Sequence, residues 1–299
     1  MEATKQHMRT RLASVILTLL TVASPIVSAG KPNIIFILTD DLGYGDVGIL
    51  FQKQREGIQV ETPELDAMAA EGTILNRHYC PAPICAPSRA SLITGMHQGH
   101  TNVRNMQFDK AIEDNWNFAN TLQRVGYHTI HLGKYGLQGW GHTPEKWAGY
   151  PTKRGFDYFY GYVRHVDGHQ HYPANEWALG DNKSHQGKKQ VWENNKEVSA
   201  GLDKCYTTDL WTAKAKQLII SETRQNPLRP FFMFLSYDTP HAALQLPTVS
   251  YPAGKGVKGG IQWLGKPGKM INTAEGTIDH YRDPHYTGKG LTDLAERFA

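Results

Sequence analysis

Beyond its first thirty residues the chain has no apolar run that approaches bilayer-spanning length, so no membrane-embedded body is expected. It has no internal repeat and no low-complexity tract, which excludes a repeat array. Net charge is small. The formal +4 includes Lys5, Arg9 and Arg11 at the start of the chain, against Glu2. The remainder is nearly neutral and lacks the basic stripe that nucleic-acid binding needs. Cysteine is scarce, with three in 299 residues. Cys80, Cys85 and Cys205 cannot all pair, so at least one is free, intermolecular or modified. The rest is ordinary globular composition, 40% hydrophobic and 20% charged, with length enough for a buried core. Histidine is the abundance, at 14 residues, and it serves metal and proton chemistry near neutral pH.

Residues 1–29 read as a secretory signal. A basic start precedes "LASVILTLLTVA", which is short for a bilayer span, and "VSA" places small residues at a cleavage site. An uncleaved anchor is the alternative. The expectation is a secreted or periplasmic protein in an oxidising space, without stable membrane association.

The rest alternates between strand and helix signals. "NIIFILTDD" reads as a buried parallel strand ending in two acids. "TPELDAMAAEG" reads as a helix capped by Thr62, with Leu65, Met68 and Ala69 on one face. "TILNRHYC" reads as a strand, "PSRASLITG" as a short helix stopped by Gly95, and "NFANTLQRVG" as a helix before the strand "YHTIHLGK". Residues 141–206 read as long loops and short strands over the top of a sheet. "DLWTAKAKQLIISET" is a helix, "PFFMFLSYDTPH" a buried strand, "GKGVKGGIQWLGKPGK" a loop, and "GLTDLAERFA" the opening of a helix. The pattern predicts an α/β fold with a mostly parallel central sheet flanked by helices. Ligands of such sheets bind beyond the carboxyl ends of the strands, where Asp40-Asp41, the Cys85 loop, Lys134 and His241 all fall.

Asp40 and Asp41 repel each other unless a cation binds, and a hard divalent ion such as Ca²⁺ or Mg²⁺ suits oxygen ligands. A solvated loop is the plain alternative. Cys85 precedes Pro87 at a helix start, where free N–H groups favour an anion and would lower the thiol pKa. Arg89 can turn back towards the same anion. A disulfide with Cys80 and a plain thiol nucleophile remain open on these residues alone.

Cys85-Ala86-Pro87-Ser88-Arg89 followed by "ASLITG" resembles the Cys-x-Pro-Ser-Arg signature of the type I sulfatases, within the alkaline-phosphatase-like superfamily. "KPNIIFILTDDLGYGDVG", "TPELDAMAAEGTIL", "HLGKYGLQG" and "YDTPHAA" resemble the family's opening strand and metal loop, first helix, lysine loop and histidine loop, in order from residue 31 to about 247. The resemblance implies hydrolysis of sulfate esters of carbohydrates or aryl alcohols. It implies that a maturation enzyme converts Cys85 to Cα-formylglycine. One hydroxyl of the aldehyde hydrate attacks sulfur and expels the alcohol; the other then releases sulfate and restores the aldehyde. By resemblance Asp40, Asp41 and modified Cys85 bind Ca²⁺, with Mg²⁺ as the other candidate. Arg89 holds the hydrate, Lys134 bridges sulfate and nucleophile, and His241 is a candidate proton partner to the nucleophile or its hemiacetal. Lys266 is a weaker candidate for an anionic substrate.

Two departures stand out. Many family members carry Gly-Lys-x-His where this chain has Gly133-Lys134-Tyr135-Gly136, which leaves His142, His165, His169 and His171 as candidates for the acid. His169 and His171 would share a side if that stretch were extended. The family also completes its metal site after a later strand, and Asp279-His280 is a poor substitute. The expectation is therefore a signal over 1–29 and an incomplete sulfatase catalytic domain over 30–299. The alternatives are a phosphate or phosphonate ester hydrolase, or an inactive fragment that holds sulfated glycans. Asn182-Lys183-Ser184 is a sequon of use only in a eukaryotic host.

Overall fold

The computed structural model describes residues 30–107, 110–174, 188–250 and 277–299. The signal, the sequon and Lys266 with its loop lie outside the described residues. Chain contacts divide at Pro32–Asn33. Residues 30–32 have no regular structure, and the sheet and all of its helices belong to the unit Asn33–Ala299.

Six strands form one sheet in the order β1-β6-β2-β3-β4-β5. They are β1 (Ile34–Leu38), β2 (His128–Lys134), β3 (Tyr158–Tyr162), β4 (Val191–Glu193), β5 (Lys196–Glu197) and β6 (Phe231–Ser236). The pairs β1–β6, β6–β2 and β2–β3 are parallel, and β3–β4 and β4–β5 are antiparallel. The helices are α1 (Pro63–Glu71), α2 (Cys85–Thr94), α3 (Phe118–Arg124), α4 (Thr207–Gln225) and α5 (Asp293–Phe298). The predicted α/β architecture is therefore observed.

Alternation along β6 builds two cores. Phe232 and Phe234 join Ala86, Ala90 and Ile93 of α2 and Ala119 of α3 on one face of the sheet. Phe231, Met233 and Leu235 join Leu210, Trp211 and Ala213 of α4 on the other. Each buried phenyl contributes roughly 2–3 kcal/mol. β6 is thus covered on both faces, which accounts for its continuous apolar run.

Several local expectations are corrected. β1 is the outermost strand, and Ile35 and Ile37 are 44% and 54% exposed, because no helix among the described residues covers that face. Residues 73–80 form no strand: Ile74 and Leu75 are exposed and no sheet edge pairs with them. α1 forms, but Leu65 and Met68 stay exposed. Thr62 does not cap it. Its hydroxyl accepts from the Gly48 N–H at 2.8 Å and donates to Asp66 at 3.2 Å, so the preceding loop consumes the group. Within 141–206, β3, β4 and β5 extend the sheet rather than lie across its top.

Candidate active site

The parallel strands place four carboxyl ends on one edge of the sheet, and Asp40, Asp41, Lys134 and His241 lie along it, with Cys85 and Arg89 brought to it by α2. Asp40 follows β1, Lys134 ends β2, a 3₁₀ turn over His165–His169 follows β3, and His241 follows β6. Two backbone bonds tie the first and last of these loops together: Tyr237 N–H to the Leu38 carbonyl at 2.8 Å, and Asp40 N–H to that of Thr239 at 3.0 Å.

Cys85 enters from α2. Ile84 is extended, Cys85 is the first helical residue, and Pro87 sits in the first turn, where its missing N–H costs no helical bond. Gly95 ends the helix in the left-handed region. The face carrying Ala86, Ala90 and Ile93 enters the core. Arg89 is buried towards the strand ends.

The centre of the site is one carboxylate shared by two cations. Lys134 Nζ lies 2.6 Å and Arg89 NH2 3.4 Å from the same oxygen of Asp40, Oδ2. Arg89 also donates to the Lys134 carbonyl at 2.7 Å and to the Ser236 hydroxyl. Lys134 is wholly buried and Arg89 nearly so. Burial alone would raise the Asp40 pKa, but Arg89 and Lys134 outweigh it and hold the carboxyl far below its usual range. Two buried cations against one carboxylate leave an excess positive charge, which suits an anion.

Cys85 Sγ, an Asp40 oxygen and a His241 ring nitrogen all lie within 4.8 Å of one another. The expected thiol acidification is not observed. Burial, together with Asp40 and Asp41, pushes the Cys85 pKa up, and Lys134 and Arg89 only partly oppose it. No disulfide forms; Cys80 is exposed and contacts the Ala82 carbonyl at 3.2 Å and the Ser88 hydroxyl at 2.8 Å. A cavity of about 340 Å³ opens beside the sulfur, lined by Asp40, Asp41, Cys80, Ser88 and Arg89 among others.

Asp41 stands at the rim. Its φ is +65°, its side chain is 62% exposed, and one carboxylate oxygen lies 3.7 Å from His241 Nε2. The donor set can be tested against a hard cation, which takes six to eight oxygens as calcium or six as magnesium. Both cationic side chains approach Oδ2 of Asp40, and Asp41 brings a second carboxylate next door. These residues fit one side of such a site, and the described residues supply only part of the full shell.

The open choice among histidines is narrowed by geometry. His142 is exposed. His171 is buried away from the sulfur, 3.4 Å from Asp238 and 3.0 Å from the His241 carbonyl, where it steadies the His241 loop. Residues 165–169 turn rather than extend, so the expected shared face of His169 and His171 is not formed. Instead His165 and His169 lie edge to face at 5.2 Å, and His169 stacks on His241 at 4.8 Å. Burial, with Lys134 and His169 adding to it, lowers the His165 pKa to about 2. A Cβ at Gly136 (φ +76°) would lie 2.7 Å from His165 Nδ1, so His165 occupies the space a side chain at 136 would need. Asp279 is remote from the cluster: it accepts from Leu246 N–H at 2.7 Å and pairs with Arg297 at 2.5 Å. The Asp279-His280 substitution is therefore not formed.

Sequence reasoning missed Ser236 and Gly168. Ser236 ends β6 at the functional edge, and that position was its only signal. A Cβ at Gly168 would meet the Lys134 side chain at 2.5 Å, a contact with no counterpart in sequence.

The sequence model of the sulfatase family matches residues 32–272. Arylsulfatase J of Mus musculus is 32% identical over 73% of this chain and 34% of its own length. N-acetylgalactosamine-6-sulfatase of Mus musculus is 30% identical over 76% and 44%. Arylsulfatase G of Homo sapiens is 28% identical over 84% and 49%. The chain thus spans about a third to a half of these relatives. The crystal structure of Ps i-CgsB in complex with k-i-k-neocarrahexaose is similar with a TM-score of 0.56 and 31% identity, over 72% of this chain and 46% of that one. No helix among the described residues is long and apolar enough to cross a membrane.

Proposed function

The chain belongs to the sulfatase family, and on that premise we propose that it carries the catalytic site of a sulfuric ester hydrolase acting on sulfated saccharides. The observation that carries this is the buried excess of positive charge beside Cys85, made by Arg89 and Lys134 around Asp40. The N-acetylgalactosamine-6-sulfatase relative, and the neocarrahexaose held by a structural neighbour, support a saccharide substrate.

In this reading a formylglycine-generating enzyme converts Cys85, and the resulting aldehyde hydrate supplies an oxygen nucleophile with a built-in route for sulfate release. Asp40, Asp41 and residue 85 would hold Ca²⁺, or Mg²⁺, whose charge offsets that of the reacting groups. Lys134 and Arg89 bind the sulfate oxygens and orient sulfur towards residue 85. His241, with a ring nitrogen within 4.8 Å of the sulfur of the same residue, takes its proton. His165 fills the place left by Gly136 as a neutral imidazole and fixes His169. His169, half-buried, passes a proton to the departing alcohol. The residue 1–29 leader supports export with its removal, and residues 30–299 form the corresponding part of the catalytic domain.

The test is turnover of matched sulfate and phosphate esters by the protein co-produced with a formylglycine-generating enzyme. Sulfate turnover is expected to exceed phosphate turnover, to vanish in Cys85→Ala, and to fall at least about a hundredfold in Lys134→Met, the loss typical of one charge-stabilising group. The Cys85 peptide of the active protein is expected about 18 Da light, the change from thiol to aldehyde. Faster phosphate turnover, or activity with an intact thiol, overturns the reading.

A further inference from the structure

Cys85 belongs to two clusters. Besides the set with Asp40 and His241, its Sγ lies with one ring nitrogen of His165 and one of His169, all three atoms within 4.8 Å of one another. This second set contains one sulfur and two imidazoles and no carboxylate. Its chemistry differs from that of the first. Thiolate and imidazole donors suit zinc-class cations, whereas calcium and magnesium call for oxygen.

The geometry is close to what such an ion needs. Ligand atoms around a tetrahedral zinc stand roughly 3.5 Å apart, so the cluster has to contract by at most about 1.3 Å. Both imidazoles come from one 3₁₀ turn, which is braced by a two-pronged Arg164–Asp167 pair at 2.8 and 3.0 Å. The turn is seated against Lys134 through Gly168. Cys85 is fixed independently, at the first residue of α2. His165 is held neutral by burial, which is the state in which imidazole ligates a metal. The charge is tolerable: Asp40, Asp41 and the thiolate face Lys134, Arg89 and the incoming ion. Three protein ligands leave a fourth position for water.

We propose that, while residue 85 is still a cysteine, Cys85, His165 and His169 form a binding site for a zinc-class divalent cation. Binding deprotonates the thiol: the S–H bond breaks, an S–metal bond forms, and the proton passes to solvent, with no change of oxidation state. The occupied sulfur is then masked from oxidation and from any modifying enzyme. Replacing the sulfur by an oxygen function removes the soft ligand and leaves the oxygen-rich side of the site. The assignment concerns the thiol form and stands whether or not residue 85 is later converted.

The experiment uses the whole chain made without a maturation enzyme, with the Cys85 thiol verified by peptide mass, and Co²⁺ as the spectroscopic probe. One equivalent is expected to produce a thiolate-to-metal charge-transfer band with the intense visible bands of four-coordinate cobalt. Zn²⁺ should displace it and Ca²⁺ should not. The band should be lost in Cys85→Ser, kept in Cys80→Ser and Cys205→Ser, and at least about tenfold weaker in affinity in His169→Ala, a lower bound set by the loss of even an outer-shell partner. His165→Ala should behave likewise; His169, being half-buried, provides the variant that keeps the fold. Absence of the band, its persistence in Cys85→Ser, its loss in Cys80→Ser, or unchanged affinity in His169→Ala each overturns the proposal.

Discussion

His131 shows how strongly this sheet enforces neutrality. Its ring lies 4.9–5.4 Å from those of Tyr135, Phe156, Phe159 and Phe234, with no exposed surface. Burial, aided by the charge of Arg89, lowers its pKa from 6.5 to about 3. Between those values the unfolded chain takes a proton that the folded chain refuses. Stability is therefore complete above pH 6.5 and is lost as the pH falls, by up to about 5 kcal/mol. Between pH 7 and 4.5 this one group is expected to remove about 2.5 kcal/mol. Denaturant unfolding of the parent and of His131→Phe at the two pH values checks it: the variant should lose that much less, and equal slopes would refute the assignment. At the same scale, the chemistry-bearing residues were legible in sequence. Asp40, Lys134 and His241 each end an apolar run, and a strand end is where a polar residue has work other than packing. The acidity of Cys85 was not legible, because it depends on the depth to which α2 is buried and on the sign of the charges that the fold brings around it.

Among the elements, the 3₁₀ turn after β3 has the most specific role. It carries His165 and His169 and, through Gly168, makes room for the buried Lys134 chain. Gly168→Ala would push that side chain off Asp40, whose oxygen it now meets at 2.6 Å. Sulfatase turnover is expected to fall at least about tenfold, the scale of a misplaced catalytic group. The melting temperature should drop by less than in Phe234→Ala, where a core phenyl worth about 3–5 kcal/mol is removed. Paired kinetics and thermal melts of the two variants decide it; a Gly168→Ala protein with parental turnover would show that the turn does not govern Lys134. In sequence this element reads as loop, since its residues show neither helical nor strand period. β1, β2, β6 and the helices were legible because their apolar runs or faces extend over several residues, whereas β3, β4 and β5 fall in a stretch that reads as loops and short strands over the sheet. The 73–80 stretch misled because strand propensity has no force without an adjoining edge.

For the whole molecule, β1 is the weak boundary. Ile35 and Ile37 on one face and Phe36 on the other are each more than a third exposed, and the strand pairs with β6 alone among the described residues. Met68, Ile74 and Leu75 add further exposed apolar surface. An apolar outer strand of this kind is a template for association. The isolated chain is expected to self-associate with rising concentration, and Ile35→Lys with Ile37→Lys to suppress this without lowering the melting temperature by more than a few degrees. Light scattering across a dilution series tests it; a parent that scatters as a monomer throughout would refute it. The doubly covered middle of the sheet was visible in the sequence as an uninterrupted apolar run. The same signal at β1 reads as burial, because sequence records how apolar a strand is and not which neighbours it receives.

The strand order also sets a clock. β6 lies between β1 and β2, so the edge that closes around Cys85 does not exist until residues 231–236 have been made and inserted. A ribosome adds roughly 5–20 residues each second. The 156 residues from Cys85 to His241 therefore take about 8–30 s to synthesise. For that interval the segment around Cys85 emerges without its final walls, and any enzyme that must reach the sulfur in an open polypeptide has those seconds, rather than the lifetime of the folded protein, in which to act.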